Sequence, residues 1–355
     1  MNRRGFRIIL VLGLAAVAVG LCISLTSSHK EEAVLPDGRV QLRLNEALTN
    51  EISDTSALTG MDTKIQSYMR QWGLHGASLA IMRNDSLVYA KGYGWADEEK
   101  HVKMQPSNIL RVASVSKLLT AAGIMLLQDQ GKLNIKDTVF GPRGILTDTT
   151  YTSVMKDPNY KKITIEDLLR HKGGFTSYGG DPMFSTRTIM QTNHLDTPPD
   201  NTELMRIMLR RRLRFVPGTS QYYSNFGYLL LSKVIEEVSG QPYEEFMQKN
   251  VLEPAGCYDM HIAENYYKDK RKNEVRYYNG ADTCLVDEFN NSGNMVERCY
   301  GGSDIHSLSG AGAWVCSTPE LARFVASIDG RTEIPNVISQ ASVNAMTEWF
   351  DERTY

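Results

Sequence analysis

The stretch from Ser114 to Leu126 sets the tightest constraint on how this chain can fold. After Ser114-Val115-Ser116-Lys117 it carries Leu118, Leu119, Ala122, Ile124, Met125 and Leu126 at helical spacing, with hardly a polar face left. A helix that is apolar on most sides has to be wrapped by other elements. The pattern predicts a buried central helix beginning near Ser114. Ser114 and Lys117, three residues apart, then share one face about one turn apart. They sit where a helix N-terminus points its unpaired amides. A serine hydroxyl is a poor nucleophile until another group takes its proton, and a desolvated lysine can take it. Two readings stand at this point: an activated nucleophile, or an ordinary helix start with a capping serine and a solvated lysine. Burial of the helix makes desolvation of Lys117 the expectation.

The elements around this helix can be read from local signals. A helix spans about Asp62 to Trp72, and strands at 77–82 and 87–94 flank the Asn84-Asp85 turn, which makes a hairpin. Thr164 caps a helix with Asp167 at its third position, and the helix stops at His171 before Gly173-Gly174. Further helices run from Asn225 to Ser239, ended by Gly240, and from Pro242 to about Asn250. Another starts at Ser317 or Thr318 and reaches about Ile328. The order is a strand pair, a mainly helical middle, then mixed structure. Arg210-Arg211-Arg212-Leu213-Arg214 follows Leu204, Ile207 and Met208 and reads as the basic outer face of an amphipathic helix. With a net charge of -2 and no aromatics interleaved in that run, nothing points to nucleic acid.

Arg3, Arg4 and Arg7 precede an apolar run from Ile8 to about Leu25, and Thr26-Ser27-Ser28 turns polar. These are the three parts of an export signal. A cleaved signal over 1–28, an uncleaved membrane anchor and a lipid-attached Cys22 all remain open, with the bulk of the chain outside the cytoplasm, periplasmic or in the cell envelope. Residues 29–58 read as a linker and 59–355 as the functional domain. Cys257, Cys284, Cys299 and Cys316 can pair in an oxidising compartment, and Cys284 with Cys299, which bracket a polar loop, is the expected pair. The histidines are scattered without metal-ligand spacing, so neither a metal nor a cofactor is expected.

Pro217 to Tyr228 forms a second cluster. Tyr223 and Asn225 flank Ser224 just ahead of a helix, and side chains two apart in an extended segment project the same way. Either they enter a site together, or Ser224 or Asn225 caps the helix and the tyrosines pack. Here the residues carry a resemblance. Ser114-x-x-Lys117 followed by Tyr223-Ser224-Asn225 resembles the first two signatures of the serine β-lactamase and penicillin-binding protein superfamily, in its class C β-lactamase branch. Leu168 to Phe175, Phe215 to Thr219 and Gly310 to Thr318 look like further landmarks in the expected order, so the likeness covers roughly residues 60 to 350.

The resemblance implies an α+β fold, an antiparallel sheet flanked by helices with a mainly helical second subdomain. It implies that Ser114 is acylated, with its amide as one oxyanion donor. Lys117 holds the proton network and Tyr223 acts as base or relay, the choice between them open. Asn225 binds the substrate amide, and His171 serves as a structural loop anchor. The partners implied are small molecules or peptidoglycan-type peptides: a β-lactam, a D-amino-acid peptide or an ester. The family's third signature, Lys-Thr-Gly or His-x-Gly, has no counterpart between residues 318 and 355. The expectation is therefore a domain incomplete at its C-terminus, its last strands missing. The alternative is a degenerate relative that acts as a non-catalytic cell-envelope binding protein.

Overall fold

The structure is a computed structural model that describes residues 43–53, 59–175, 180–280 and 284–348. The N-terminal segment read as signal or anchor lies outside the described residues, and among them no helix is long and apolar enough to cross a membrane.

Short helix α1 (Leu44–Ala47) and a 3-10 turn (Asn50–Ser53) come first, within the stretch read as a linker. They are tied down. Asn45 Nδ2 donates to Asp259 at 3.1 Å, Asn50 Nδ2 donates to Met104 O at 2.8 Å, and Ser53 Oγ accepts from Ala90 N at 3.1 Å. Helix α2 (Thr59–Trp72) leads into strand β1 (Gly76–Arg83), which pairs antiparallel with β2 (Ser86–Asp97), Ala80 opposite Ala90. Asn84 and Asp85 both take positive φ, 48° and 58°, as a tight primed hairpin turn requires. Strand β3 (Val102–Lys103) adds to β2, giving the sheet order β1–β2–β3.

Strand β4 (Leu110–Arg111) runs into a 3-10 turn, Ala113–Val115, and then helix α3 (Ser116–Asp129). Ser114 therefore sits on the turn ahead of the helix and not inside it. Helix α3 is the buried centre expected from its composition, and Leu119, Ala122, Ile124 and Leu127 are fully covered. After it come α4 (Thr149–Thr152), α5 (Ile165–Leu169), α6 (Thr186–Asn193), α7 (Asn201–Leu209), α8 (Asn225–Ser239) and α9 (Tyr243–Met247), which continues as a π-turn over Gln248–Leu252. Strands β5 (His261–Ile262), β6 (Val286–Asp287), β7 (Met295–Val296) and β8 (Trp314–Cys316) follow, with helices α10 (Thr318–Ala326) and α11 (Gln340–Thr347) last. The architecture is α+β, antiparallel sheets with a mainly helical middle.

Local chemistry explains the boundaries. Thr164 and Asp167 form the reciprocal capping box read from the sequence. Ser224 caps α8 by accepting from Gly227 N at 3.1 Å, and Gly240 ends it at φ 69°. Ser317 caps α10. Strand β8 pairs on one side with β4 and on the other with β5, so the segment before Ser114 and the segment after Ala311 are stitched together. Trp314, fully buried, donates from Nε1 to Tyr243 Oη at 3.0 Å, and Tyr243 hydrogen-bonds Thr120 of α3 at 2.7 Å. Gly310 lies so close to α3 that an added Cβ would stand 2.6 Å from Thr120 Oγ1.

Two expectations fail. Helix α7 ends at Leu209, so the arginines from 210 onward lie past its C-terminus, exposed, and do not form its outer face. Cys284 and Cys299 are not joined, and all four of Cys257, Cys284, Cys299 and Cys316 carry thiols. Cys284 is exposed, whereas Cys299 turns its sulfur inward to Tyr277 O at 3.4 Å. Bracketing a loop does not by itself bring two Cβ vectors into disulfide geometry.

Candidate active site

Four side chains singled out in the sequence, Ser114, Lys117, Tyr223 and Asn225, meet at the N-terminal ends of α3 and α8. Ser114 is exposed on its turn, and its Oγ lies 2.7 Å from Tyr223 Oη. Lys117 Nζ donates to Asn225 Oδ1 at 2.7 Å and to Ala311 O at 2.5 Å, and reaches Ser114 Oγ at 3.3 Å. Lys117 and Asn225 are buried, while Tyr223 is about half exposed at 49%. Ser224, between the two site residues, points the other way to cap α8. The capping reading and the site reading of this triplet are thus both realised, by different residues.

The electrostatics follow from burial. Desolvation draws the Lys117 ammonium below its ordinary 10.5, against the opposing pull of Tyr223 and Asp181. A lysine ammonium has three N–H donors, and three acceptors surround this one. When Lys117 is neutral, two N–H groups suffice for the short contacts to Asn225 and Ala311. The lone pair is then left for the longest contact, the one to Ser114 Oγ. The same nitrogen lies 4.8 Å from the Tyr223 ring centre and 5.5 Å from that of Tyr228. The Tyr228 hydroxyl donates to Leu169 O at 3.0 Å, and burial raises its pKa.

His171 supports the site from below. Its Nδ1 accepts from Ser224 N at 3.2 Å, so the neutral ring carries its proton on Nε2, and the ring lies 4.5 Å from that of Tyr223. Burial, aided by the nearby Lys117 charge, pushes its pKa from 6.5 to about 4. Three non-glycine residues with positive φ stand beside site groups: Ala113 (47°) before Ser114, His171 (57°) under Tyr223, and Ser309 (44°) before the Ala311 carbonyl. Such backbone costs on the order of 1–3 kcal/mol each and persists only where the surroundings hold it.

Two participants are not evident in the sequence. The Ala311 carbonyl is brought in by the 3-10 turn His306–Ala311. Asp181 accepts from Asn225 Nδ2 at 2.6 Å; its only sequence signal is the Asp-Pro pair that starts a turn. Behind Lys117 a cavity of about 320 Å³ is lined by Leu118, Ala121, Met125, Ile135, Leu169 and Met346, among others. Neither Ser114 nor Tyr223 lines it.

Comparison with known proteins bears on the family and the fold. A family model described as Beta-lactamase matches residues 61–355. The protein PbpX of Bacillus subtilis (strain 168) is 27% identical over 277 residues, 76% of this chain and 63% of the relative. The chain thus spans less than two thirds of the length of the curated relatives it matches. An octameric penicillin-binding protein homologue from Pyrococcus abyssi superposes with a TM-score of 0.57 at 25% identity, over 81% of this chain and 59% of that one. A D-amino acid amidase from Ochrobactrum anthropi SV3 does so with 0.58 at 20% identity, over 81% and 74%, a likeness of fold.

Proposed function

The chain belongs to the beta-lactamase family, and from that premise we propose that it is an exported serine hydrolase that cleaves an amide or ester through an acyl-enzyme. The observation that carries this reading is the Ser114–Tyr223–Lys117–Asn225 hydrogen-bond cluster, with its lysine buried and its serine open to solvent.

Ser114 Oγ attacks the substrate carbonyl as its proton passes into the Lys117–Tyr223 pair. The Oγ–C bond forms, and the carbonyl oxygen becomes an oxyanion facing the Ser114 amide at the root of α3. The C–N or C–O bond then breaks, and the proton returns through Tyr223, which borders the open side, to the leaving group. Asn225 holds the substrate amide, and water later attacks the acyl-enzyme by the same path in reverse. The acyl donors that suit this chemistry are β-lactams, D-amino-acid peptides of peptidoglycan type and esters. Export rests on the basic-then-apolar N-terminus, which serves as signal or anchor.

A fluorescent penicillin, or a fluorophosphonate where the β-lactam ring is refused, should label Ser114 covalently. Ser114→Ala should abolish both labelling and turnover. Full turnover by Ser114→Ala sinks the assignment.

A further inference from the structure

We infer that the cavity beside Lys117 is a binding site for a neutral, apolar small molecule of two fused rings, or a chain of about ten carbon atoms. The inference stands apart from the serine hydrolase reading. Four helices wall the cavity: α3 through Leu118 and Ala121, α5 through Leu169, α8 through Tyr228, and α11 through Ala345 and Met346. Helix α11 is clasped at both ends. At its start Asp129, the last residue of α3, accepts from Ser339 N, Ser339 Oγ and Ser342 Oγ, each at 2.7 Å. Just past its end Glu348 pairs with Arg170 at 3.7 Å. Ala345 and Met346 are thus held at a fixed distance from α3 instead of packing down onto it. Leu118, Ala121, Leu169, Ala345 and Met346 all remain only half-buried.

The wall chemistry selects the ligand. Its polar groups already have partners. Lys117 Nζ is spoken for by Ser114, Asn225 and Ala311, so only its apolar stem is left for the cavity. The Tyr228 hydroxyl donates to Leu169 O at 3.0 Å, and Glu166 pairs with both Lys136 and Arg170. The charges on this side balance, Lys136 and Arg170 against Glu166 and Glu348. A charged molecule would lose its water there for little return, and water itself is held only where it finds two or more partners. An apolar molecule buries its own surface and that of the half-buried wall together. The size follows from the volume. A dry apolar cavity of about 150 Å³ takes one benzene ring, and this one, about 320 Å³, takes roughly twice that. Met125 and Met346 in the wall are unbranched and can adapt to the outline of the occupant.

The test titrates the protein with naphthalene and with 1-naphthoate at pH 7 by calorimetry. The expected result is saturable binding of one naphthalene per chain, with a Kd on the order of 0.1 mM for ten carbon atoms, and binding of 1-naphthoate weaker by about tenfold or more. Ala121→Phe and Ala345→Phe each push a ring into the cavity from opposite walls, and each should weaken naphthalene binding by about tenfold or more. Thermal unfolding without probe shows which variants keep the wild-type fold, and one folded variant suffices. No saturable binding to the wild type overturns the inference. So does 1-naphthoate binding as tightly as naphthalene, which would mean that the wall selects charge. Naphthalene binding unchanged in the folded variants overturns it as well, since the probe then sits elsewhere, as on the apolar N-terminal run. Whether Ser114 is acylated does not enter these readings, so the hydrolase assignment can fail without them and they without it.

Discussion

Replacing His171 with asparagine isolates the group that buries a titratable ring under the nucleophile. The histidine accepts from Ser224 N and packs on Tyr223 and Tyr228. An asparagine oxygen falls near the position of Nδ1, and asparagine tolerates the positive φ of 57°, so the backbone and the acceptor survive while the titration is removed. The folded pKa, about 4, lies below the ordinary 6.5. Between these values the unfolded chain binds a proton that the folded protein refuses. Stability from this group is therefore complete above pH 6.5 and is lost as the pH falls through 6.5 toward 4. At 1.36 kcal/mol per pH unit the span is worth about 3 kcal/mol. Urea unfolding of both proteins at pH 7, 5.5 and 4.5 reads this directly, provided the m-values agree. At pH 7 the variant should be weaker by about 1–2 kcal/mol for its lost ring packing. On acidification the wild type should give up most of that lead and then fall behind. Parallel losses in the two proteins would refute the claim that the ring is held neutral by burial.

Other outcomes follow from the same geometry. Tyr223→Phe removes the hydroxyl 2.7 Å from Ser114 Oγ but keeps a half-exposed ring; acylation should fall by about 10²-fold or more, with stability changed by less than about 0.5 kcal/mol, and unaltered acylation would take Tyr223 out of the mechanism. Because burial lowers the Lys117 pKa, acylation should rise with pH as Lys117 loses its proton, with a midpoint below the 10.5 of an ordinary lysine. A midpoint at that ordinary value, or activity kept by Lys117→Arg, contradicts a desolvated amine base. Cys257 and Cys316 are buried with their thiols pushed to high pKa, so a thiol reagent should modify them only after denaturation. A 284–299 disulfide peptide in a non-reducing digest would contradict the free thiols at that loop.

What could be read in advance was what is local. The Thr164–Asp167 capping box, the Ser224 and Ser317 caps and the Gly240 stop are decided within four residues. The apolar girth of α3 foretold the desolvation of Lys117, because it bears on burial regardless of partner. Ser114, Lys117, Tyr223 and Asn225 could be named as residue types at telling spacings. Their partners could not, since Ala311 contributes a backbone atom, which carries no residue signature, and Asp181 reaches Asn225 across 44 positions. The arginines after Leu209 were misplaced because apolar spacing marks a helix face but not the point where the helix ends. The cysteines were mispaired because separation along the chain carries no information on the direction of a Cβ.

Lys117 meets Asn225 and Ala311 across 108 and 194 positions. Both closures must occur before the amine is dehydrated, and contacts that close such long loops form late in folding. Until they close, Lys117 stands in water and Ser114 is inert. Reactivity should therefore return last on refolding, behind helix content and behind compaction, and a partly folded chain carries no nucleophile to misfire on the substrates it passes.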